Sequence, residues 1–269
     1  MRIGRKAALC SLALAACLAI GPRIGKYTKD GKPLPIPGHN LTMVMLGGFI
    51  LWFGWFGFNA GSTLSGNQLV IAKICVTTVI AAAGGALTAL LISWRRAGSA
   101  DLGLTVNGML GGLVGITAGC AWVEPWAALL IGVVAGFIVC YGVWFLERRG
   151  VDDVVGAISV HGFNGLWGLI ALGLFADGTY GVYTTDGPLV TGLLYGNAGF
   201  LGAQIISAAV VAIWALGTGF ALFYGLKRTV GLRVTPEEEL QGLDISEHNV
   251  SAYPEMVTKE LAMSKEVME

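Results

Sequence analysis

Six stretches of this chain are each long and apolar enough to cross a lipid bilayer, and that single feature governs what the chain can become. They cover residues 41–59, 69–94, 102–123, 126–146, 154–176 and 200–226. A helix rising ~1.5 Å per residue needs about 20 apolar residues to cover a hydrocarbon core ~30 Å thick. Across all six, the only formal charge is Lys73. The chain as a whole is 55% hydrophobic and 13% charged, against roughly a quarter charged in soluble domains. Glycine is abundant, at 41 residues, but follows no three-residue period, so a collagen-like chain is excluded. The formal net charge is zero, which leaves no basic face for nucleic acid. The fold class expected is an all-α integral membrane protein.

A seventh apolar stretch, residues 7–20, is too short to span comfortably. Residues 1–6 are basic and residues 14–17 (Leu-Ala-Ala-Cys) resemble a lipoprotein cleavage site, so a signal sequence is one reading. The trailing half of a membrane helix is the other. Charge favours the second, because export would put Arg23, Lys26, Lys29 and Lys32 on the wrong side. Those four residues, the pairs Arg95/Arg96 and Arg148/Arg149, and Lys227, Arg228 and Arg233 occupy alternate connections. The intervening connections, 61–68, 124–125 and 177–198, contain no Lys or Arg. The basic side is therefore expected in the cytoplasm, giving a multi-pass protein of the inner (plasma) membrane with a cytoplasmic C-terminus. Three regions follow: a partial helix over 1–22, a six-helix region over 23–226, and a polar cytoplasmic tail over 227–269. In the tail, Thr235-Pro236-Glu237-Glu238 predicts a capped short helix that Gly242 would end.

Few polar groups fall within the spans. Gly111, Gly115 and Gly119 recur every fourth residue, as do Gly132 and Gly136, and close helix packing accounts for them. The five cysteines, at 10, 17, 75, 120 and 140, sit in apolar stretches without metal spacing, and no metal or cofactor is expected. Lys73 can snorkel to the surface. Asp152 and Asp153 fall at the N-terminus of the 154–176 span, where unpaired N–H groups favour carboxylates. His161 is different. It lies about eight residues into that span, where an ionisable group is a functional candidate because burial without a role is costly. On regular helical spacing Asp153, Ala157, His161, Asn164 and Gly168 share one face. At the far end of the first span, residues 52–62 are rich in Trp and Phe. Phe58 and Ser62 are four apart, so a ring and a hydroxyl could face one vestibule. On composition alone, interfacial aromatics are the ordinary explanation and the one preferred.

Several segments together resemble the ammonium transporter (Amt/Mep/Rh) family. They are residues 55–62 (Trp-Phe-Gly-Phe-Asn-Ala-Gly-Ser), Asn107-Gly108 through Pro125-Trp126, Asp152-Asp153 followed by 161–165 (His-Gly-Phe-Asn-Gly), and the tail from 231–234 (Gly-Leu-Arg-Val) to 242–244 (Gly-Leu-Asp). The resemblance implies an eleven-helix transporter made of two inverted five-helix repeats and a last helix, assembled as a homotrimer with one hydrophobic pore per subunit. His161 then matches one of a pore histidine pair, Phe58 an aromatic at the outer recruitment site, and Ser62 a hydroxyl there. Asn59, Asn164 and Asp153 would support the pore. Arg233, Gly242 and Asp244 would belong to a tail that lies against the cytoplasmic loops and can receive a PII-type nitrogen-signalling protein.

By this resemblance the chain covers the end of helix 5 through helix 11, that is, six full transmembrane helices and a partial one. The family's first repeat, with the partner histidine, falls outside it. Neither His39 nor His248 can replace that partner, one lying at the cytoplasmic edge and the other in the tail. Gly156 stands where many relatives have Asp, and His248-Asn249 replaces a His-Gly of the tail pattern. The function expected is passage of ammonium or ammonia with a histidine proton relay, needing the missing half of an N-terminally truncated transporter. The alternatives are a non-conducting regulatory or docking subunit and an inert fragment. An enzyme is not expected, since no nucleophile, metal set or acid pair is present.

Overall fold

The structure, a computed structural model, describes residues 4–179 and 189–254, with side chains from residue 12 onward. Among these residues the fold is all-helical. The helices are α1 (Gly4–Ile20), α2 (Leu41–Asn59), α3 (Val70–Ala97), α4 (Leu102–Thr117), α5 (Pro125–Arg148), α6 (Asn164–Phe175), α7 (Ala198–Thr229), α8 (Pro236–Gln241) and α9 (Leu243–His248). Local chemistry sets many of the boundaries. Asn40, Asp101 and Asn197 each accept a hydrogen bond from a backbone N–H in the first turn of α2, α4 and α7. Pro125 occupies the first turn of α5, where its missing N–H costs nothing. Gly98, at φ +76°, closes α3, a left-handed position that glycine takes without strain.

Among the described residues, five segments are long and apolar enough to cross a membrane: Leu41–Thr63, Val70–Ala97, Pro125–Arg148, Ile158–Phe175 and Ala198–Thr229. The expected span over 102–123 is helical only over Leu102–Thr117, 16 residues. That is about 24 Å of helix, short of the ~30 Å core. The rest of the stretch turns inside the protein, with Ala118, Cys120, Ala121 and Val123 buried. The expected span over 154–176 also begins late. Residues 151–156 form an irregular turn, and a π-helical turn, Ile158–Phe163, precedes α6. At the N-terminal end, α1 is a 17-residue helix, and Leu12 and Ala15 on it lie against Gly219 of α7.

The core is the α3–α4–α5 triplet, and its glycines determine how closely the helices approach. A Cβ at Gly112 or Gly132 would collide with the Ala81 carbonyl, and one at Gly85 with the Gly108 carbonyl. These are backbone-to-backbone contacts, so only glycine fits at this separation. Gly168 of α6 sits against the Gly115 carbonyl in the same way. Thus the expectation of glycine-mediated packing holds at Gly111, Gly115, Gly132 and Gly136, but not at Gly119, which lies past the end of α4 and faces only the Val123 side chain. Buried hydrogen bonds tie further helices in: Trp55 Nε1 donates to Thr117 Oγ1 at 3.0 Å, Asn59 Nδ2 to Thr78 Oγ1 at 3.0 Å, and Trp167 Nε1 to the Ile131 carbonyl at 3.1 Å. Cys120 and Cys140 are buried and Cys17 and Cys75 partly so, while the Cys10 side chain lies outside those described.

By contrast α2 and α7 are scarcely buried, with 11% and 17% of their apolar windows inside the protein. Phe49, Ile50, Phe53, Ile206, Ile213 and Trp214 all point outward. Such surfaces suit lipid or a further protein wall rather than water. The chain is accordingly a multi-pass membrane protein.

Candidate functional site

The turn before α6 builds the site. Asp153 Oδ1 accepts from the Ala157 N–H at 2.9 Å and Oδ2 from the Ile158 N–H at 2.8 Å. Two orphan donors at the helix start are satisfied by one carboxylate. Burial raises the Asp153 pKa, and these N–H groups only partly offset it. Asp152, expected to cap the same terminus, turns away and accepts from the Arg23 guanidinium in a bidentate pair at 2.8 and 2.9 Å, and from the Arg23 N–H at 2.9 Å. Burial raises its pKa, but the Arg23 bonds win and hold the carboxyl below its usual value. The two aspartates are separated in role because the chain turns between them and the helix.

His161 lies on the π turn, half-buried, in an apolar groove of about 430 Å³. Val44, Gly47 and Leu51 of α2 form one wall, Val106 and Leu110 of α4 another, and Ala157 and Val160 the floor beside His161. Asn107 is the other polar side chain lining it, and its Nδ2 donates to the Val155 carbonyl at 3.0 Å. A π turn closes i→i+5 bonds and takes more than four residues per turn, so the regular-spacing face expected earlier is divided. Ala157 and His161 line the groove, but Asn164 is fully buried, donates to the Ser159 carbonyl at 3.0 Å and lies against Gly111. Asp153 precedes the helix as its cap. Asn164 therefore supports the turn from behind rather than facing the groove.

Beyond the groove the same side of α2 can be followed by helical spacing. Val44, Gly47, Leu51, Trp55, Phe58 and Ser62 follow three- and four-residue steps and so share one side of that helix and its 3₁₀ extension, Ala60–Thr63. Phe58 is 42% exposed, and its ring lies 5.9 Å from that of Trp55. The Ser62 hydroxyl donates to the Phe58 backbone carbonyl at 2.5 Å, the ordinary i to i−4 bond of a helical turn. A hydroxyl whose proton is engaged this way presents its oxygen as an acceptor. Asn59 is buried and binds α3, and its Oδ1 has no partner among the described residues. It pins the aromatic end rather than facing it.

Charges cluster at the two ends. Lys73, expected to snorkel, does reach the aromatic end, where it meets Asp177 at 3.4 Å and Glu124 at 3.6 Å with only 11% of its side chain exposed. Asp177 also accepts from the Thr179 N–H and hydroxyl at 2.8 and 2.7 Å. Burial raises its pKa, while those bonds and the Lys73 charge bring it below normal. At the basic end, the nearly buried Lys26 donates to Glu147 at 2.6 Å. The tail folds onto the same end. Thr235 and Glu238 form the expected capping box, and Gly242 follows α8 at φ +100°. Arg233 pairs with Glu239 at 2.7 Å and reaches the Ile20 carbonyl at 3.4 Å, and Glu239 accepts from the Ile24 N–H at 2.8 Å. The Tyr253 and His39 rings lie 5.0 Å apart, and Asp244 accepts from the Ala252 N–H at 2.9 Å. Residues 255–269 of the tail lie outside those described.

Sequence reasoning missed the Arg23–Asp152 pair, the Glu239 contact and Asn107 as groove residues. Asn107 sat inside a recognised motif, the nearest thing to a signal. The pairs span 129 and 215 positions, and no local pattern carries contacts at that range.

The chain spans about half the length of the curated relatives it matches. It is 62% identical over 249 residues to the ammonium transporter Amt2 of Archaeoglobus fulgidus, covering 93% of this chain and 53% of the relative. Among solved structures it resembles a Sensor Amt Protein, with a TM-score of 0.82 and 36% identity over 90% of this chain and 57% of that one. Candida albicans Mep2 follows, with a TM-score of 0.76 and 29% identity over 86% of this chain and 51% of that one. The sequence profile described as the Ammonium Transporter Family matches residues 7–253, and the chain belongs to that family.

Proposed function

We propose that this chain forms one wall of a route by which ammonium or ammonia crosses the plasma membrane, with His161 as its proton-handling group. The observation that carries the reading is the position of His161: an imidazole in a mostly apolar groove whose α2 wall leads, by helical spacing, to Phe58 and Ser62. An aromatic face and an acceptor oxygen suit a small cation. The bare ion is expensive to move into an apolar channel, whereas neutral ammonia is not. An imidazole can take the proton that is left behind. A relay needs a second group, and the other two histidines, His39 and His248, stand at the basic end and in the tail. By the family resemblance, the second group and the facing wall belong to the first of the transporter's two repeats. Asn59, Asn164 and Asp153 hold the walls in place.

In this reading the basic end and the tail, residues 227–269, face the cytoplasm, and the assembly is a homotrimer. The contacts of Arg233, Glu239 and Tyr253 with residues 20–39 support a second, regulatory role, in which the tail receives a PII-type signalling protein. A chain acting only in that way would bind such a protein without conducting. Ammonium-dependent current in proteoliposomes tests the two. The conducting reading predicts no current from this chain alone and a saturable current once the N-terminal half of a full-length relative is co-reconstituted. Absence of current in both preparations would leave the docking role.

A further inference from the structure

We propose that Asn164 is the positioning residue for His161: its side-chain amide takes the place of a backbone N–H in the π turn and so fixes where the imidazole stands in the groove. The proposal rests on the reading of His161 as the proton-handling group, and its test separates the two.

Asn164 is the first residue of α6 and is fully buried. In a regular α-helix its backbone N–H would bond to the carbonyl four residues back. Instead that N–H bonds to the His161 carbonyl, three residues back, and the side-chain Nδ2 donates to the Ser159 carbonyl, five back, at 3.0 Å. Five residues is the spacing of a π turn. One residue thus grips the main chain just before His161 and at His161 itself.

Both ends of the turn are held by other contacts. On one side Asp153 accepts from the Ala157 and Ile158 N–H groups, and Asn107 donates to the Val155 carbonyl. On the other, Trp167 donates to the Ile131 carbonyl of α5, and Gly168 packs on the Gly115 carbonyl of α4. These contacts seat α6 close to Asn164, and the amide carries that fixed position back to His161. A π turn is an α-helix with one residue inserted, so resolving it would move the preceding residues by one helical step, about 100° around the axis. Ala157 and His161 would swing away from α2 and α4, whose side chains form the groove with them.

The neighbouring helices leave room for this arrangement and little more. A Cβ at Gly111 would come within 3.0 Å of Asn164 Nδ2, and one at Gly142 within 2.9 Å of both Ser159 Oγ and the Phe163 ring. Asn164 Oδ1 and Ser159 Oγ are buried and have no partner among the described residues. Packing alone would favour an apolar residue at 164, since an unpaired buried amide oxygen is costly. The bond to the turn is what the amide adds.

Two measurements test the proposal. The chain has three histidines, His39, His161 and His248, so nuclear magnetic resonance of isotope-labelled histidine resolves them, and His161 is assigned by its loss in His161→Ala. Asn164→Ala should displace the His161 ring signals and leave those of His39 and His248 in place. In proteoliposomes that also contain the N-terminal half of a full-length relative, Asn164→Ala should lower ammonium-dependent current at least tenfold, since misplacing a reacting group by ~1 Å has effects of that order or larger. It should add little in the His161→Ala background, where no imidazole is left to position. Asn164→Asp keeps the volume, and its acid form keeps one donor where the ionised form has none. Its current relative to native should recover at acid pH and fall as the pH rises, a dependence that a packing role does not produce. This variant also serves should Asn164→Ala fold poorly. Unmoved His161 signals in Asn164→Ala, or equal impairment of Asn164→Ala and Asn164→Asp at every pH, would overturn the proposal. An undiminished current in His161→Ala would refute proton handling by His161, and the labelled spectrum would still decide whether Asn164 positions the ring.

Discussion

Two adjacent aspartates with the same chemistry end up in opposite electrostatic situations. Asp153 spends its carboxylate on the N–H groups that open the π turn, and burial raises its pKa. Asp152 is held by Arg23, with its pKa lowered despite burial. A group whose folded pKa lies below its unfolded value of about 3.9 stabilises the fold above that value and loses its contribution as pH falls through the folded one. Asp152→Asn should therefore lower stability at pH 7 by about 2 kcal/mol, somewhat less than a fully buried pair because Arg23 is partly exposed. The deficit should narrow below about pH 4. Thermal unfolding in detergent across that pH range measures both, and a constant deficit would point to packing rather than charge. That a carboxylate caps this turn was legible from its position. Which of the two does so was not, because the deciding partner, Arg23, lies 129 residues away.

Among the helices, glycine spacing was readable and helix ends were less so. The four-residue repeats pointed to close packing, and at Gly112 the backbone of α3 sits where a side chain would go. Gly112→Leu should prevent the α3–α4 contact and cost more than about 3 kcal/mol, since a carbonyl cannot move aside as a side chain can. Gly217, with nothing within 4 Å of an added Cβ, provides the contrast: Gly217→Ala should leave the unfolding temperature within a few degrees. Size-exclusion profiles after graded heating compare the two, and equal behaviour would refute the packing account. The end of α4 escaped the sequence for a physical reason. Hydropathy reports a dry environment, and the turn after Thr117 is as dry as a span: Val123 is fully buried and the Trp122 carbonyl accepts from the Asp177 N–H at 2.9 Å. The π turn under His161 was invisible in the same way, because apolar composition does not distinguish 3.6 residues per turn from a wider coil.

At the scale of the whole molecule, the tightly packed triplet is flanked by elements that look outward. The groove holding His161 is open, α2 is 11% buried in its apolar window and α7 17%, and the tail is fastened to the basic end by Arg233 and Glu239. The sequence conveyed the membrane class and the family through composition and motifs. It did not convey that Asn164 stands behind the groove rather than in it, since that depends on the local helical pitch. The central claim is that His161 handles the proton on a route completed by a second wall. It is tested most directly by ammonium-dependent current in proteoliposomes containing this chain together with the N-terminal half of a full-length relative, comparing native His161 with His161→Ala. The account predicts at least a tenfold fall in the variant, with the assembly intact by native mass spectrometry. An undiminished, equally saturable current would contradict it.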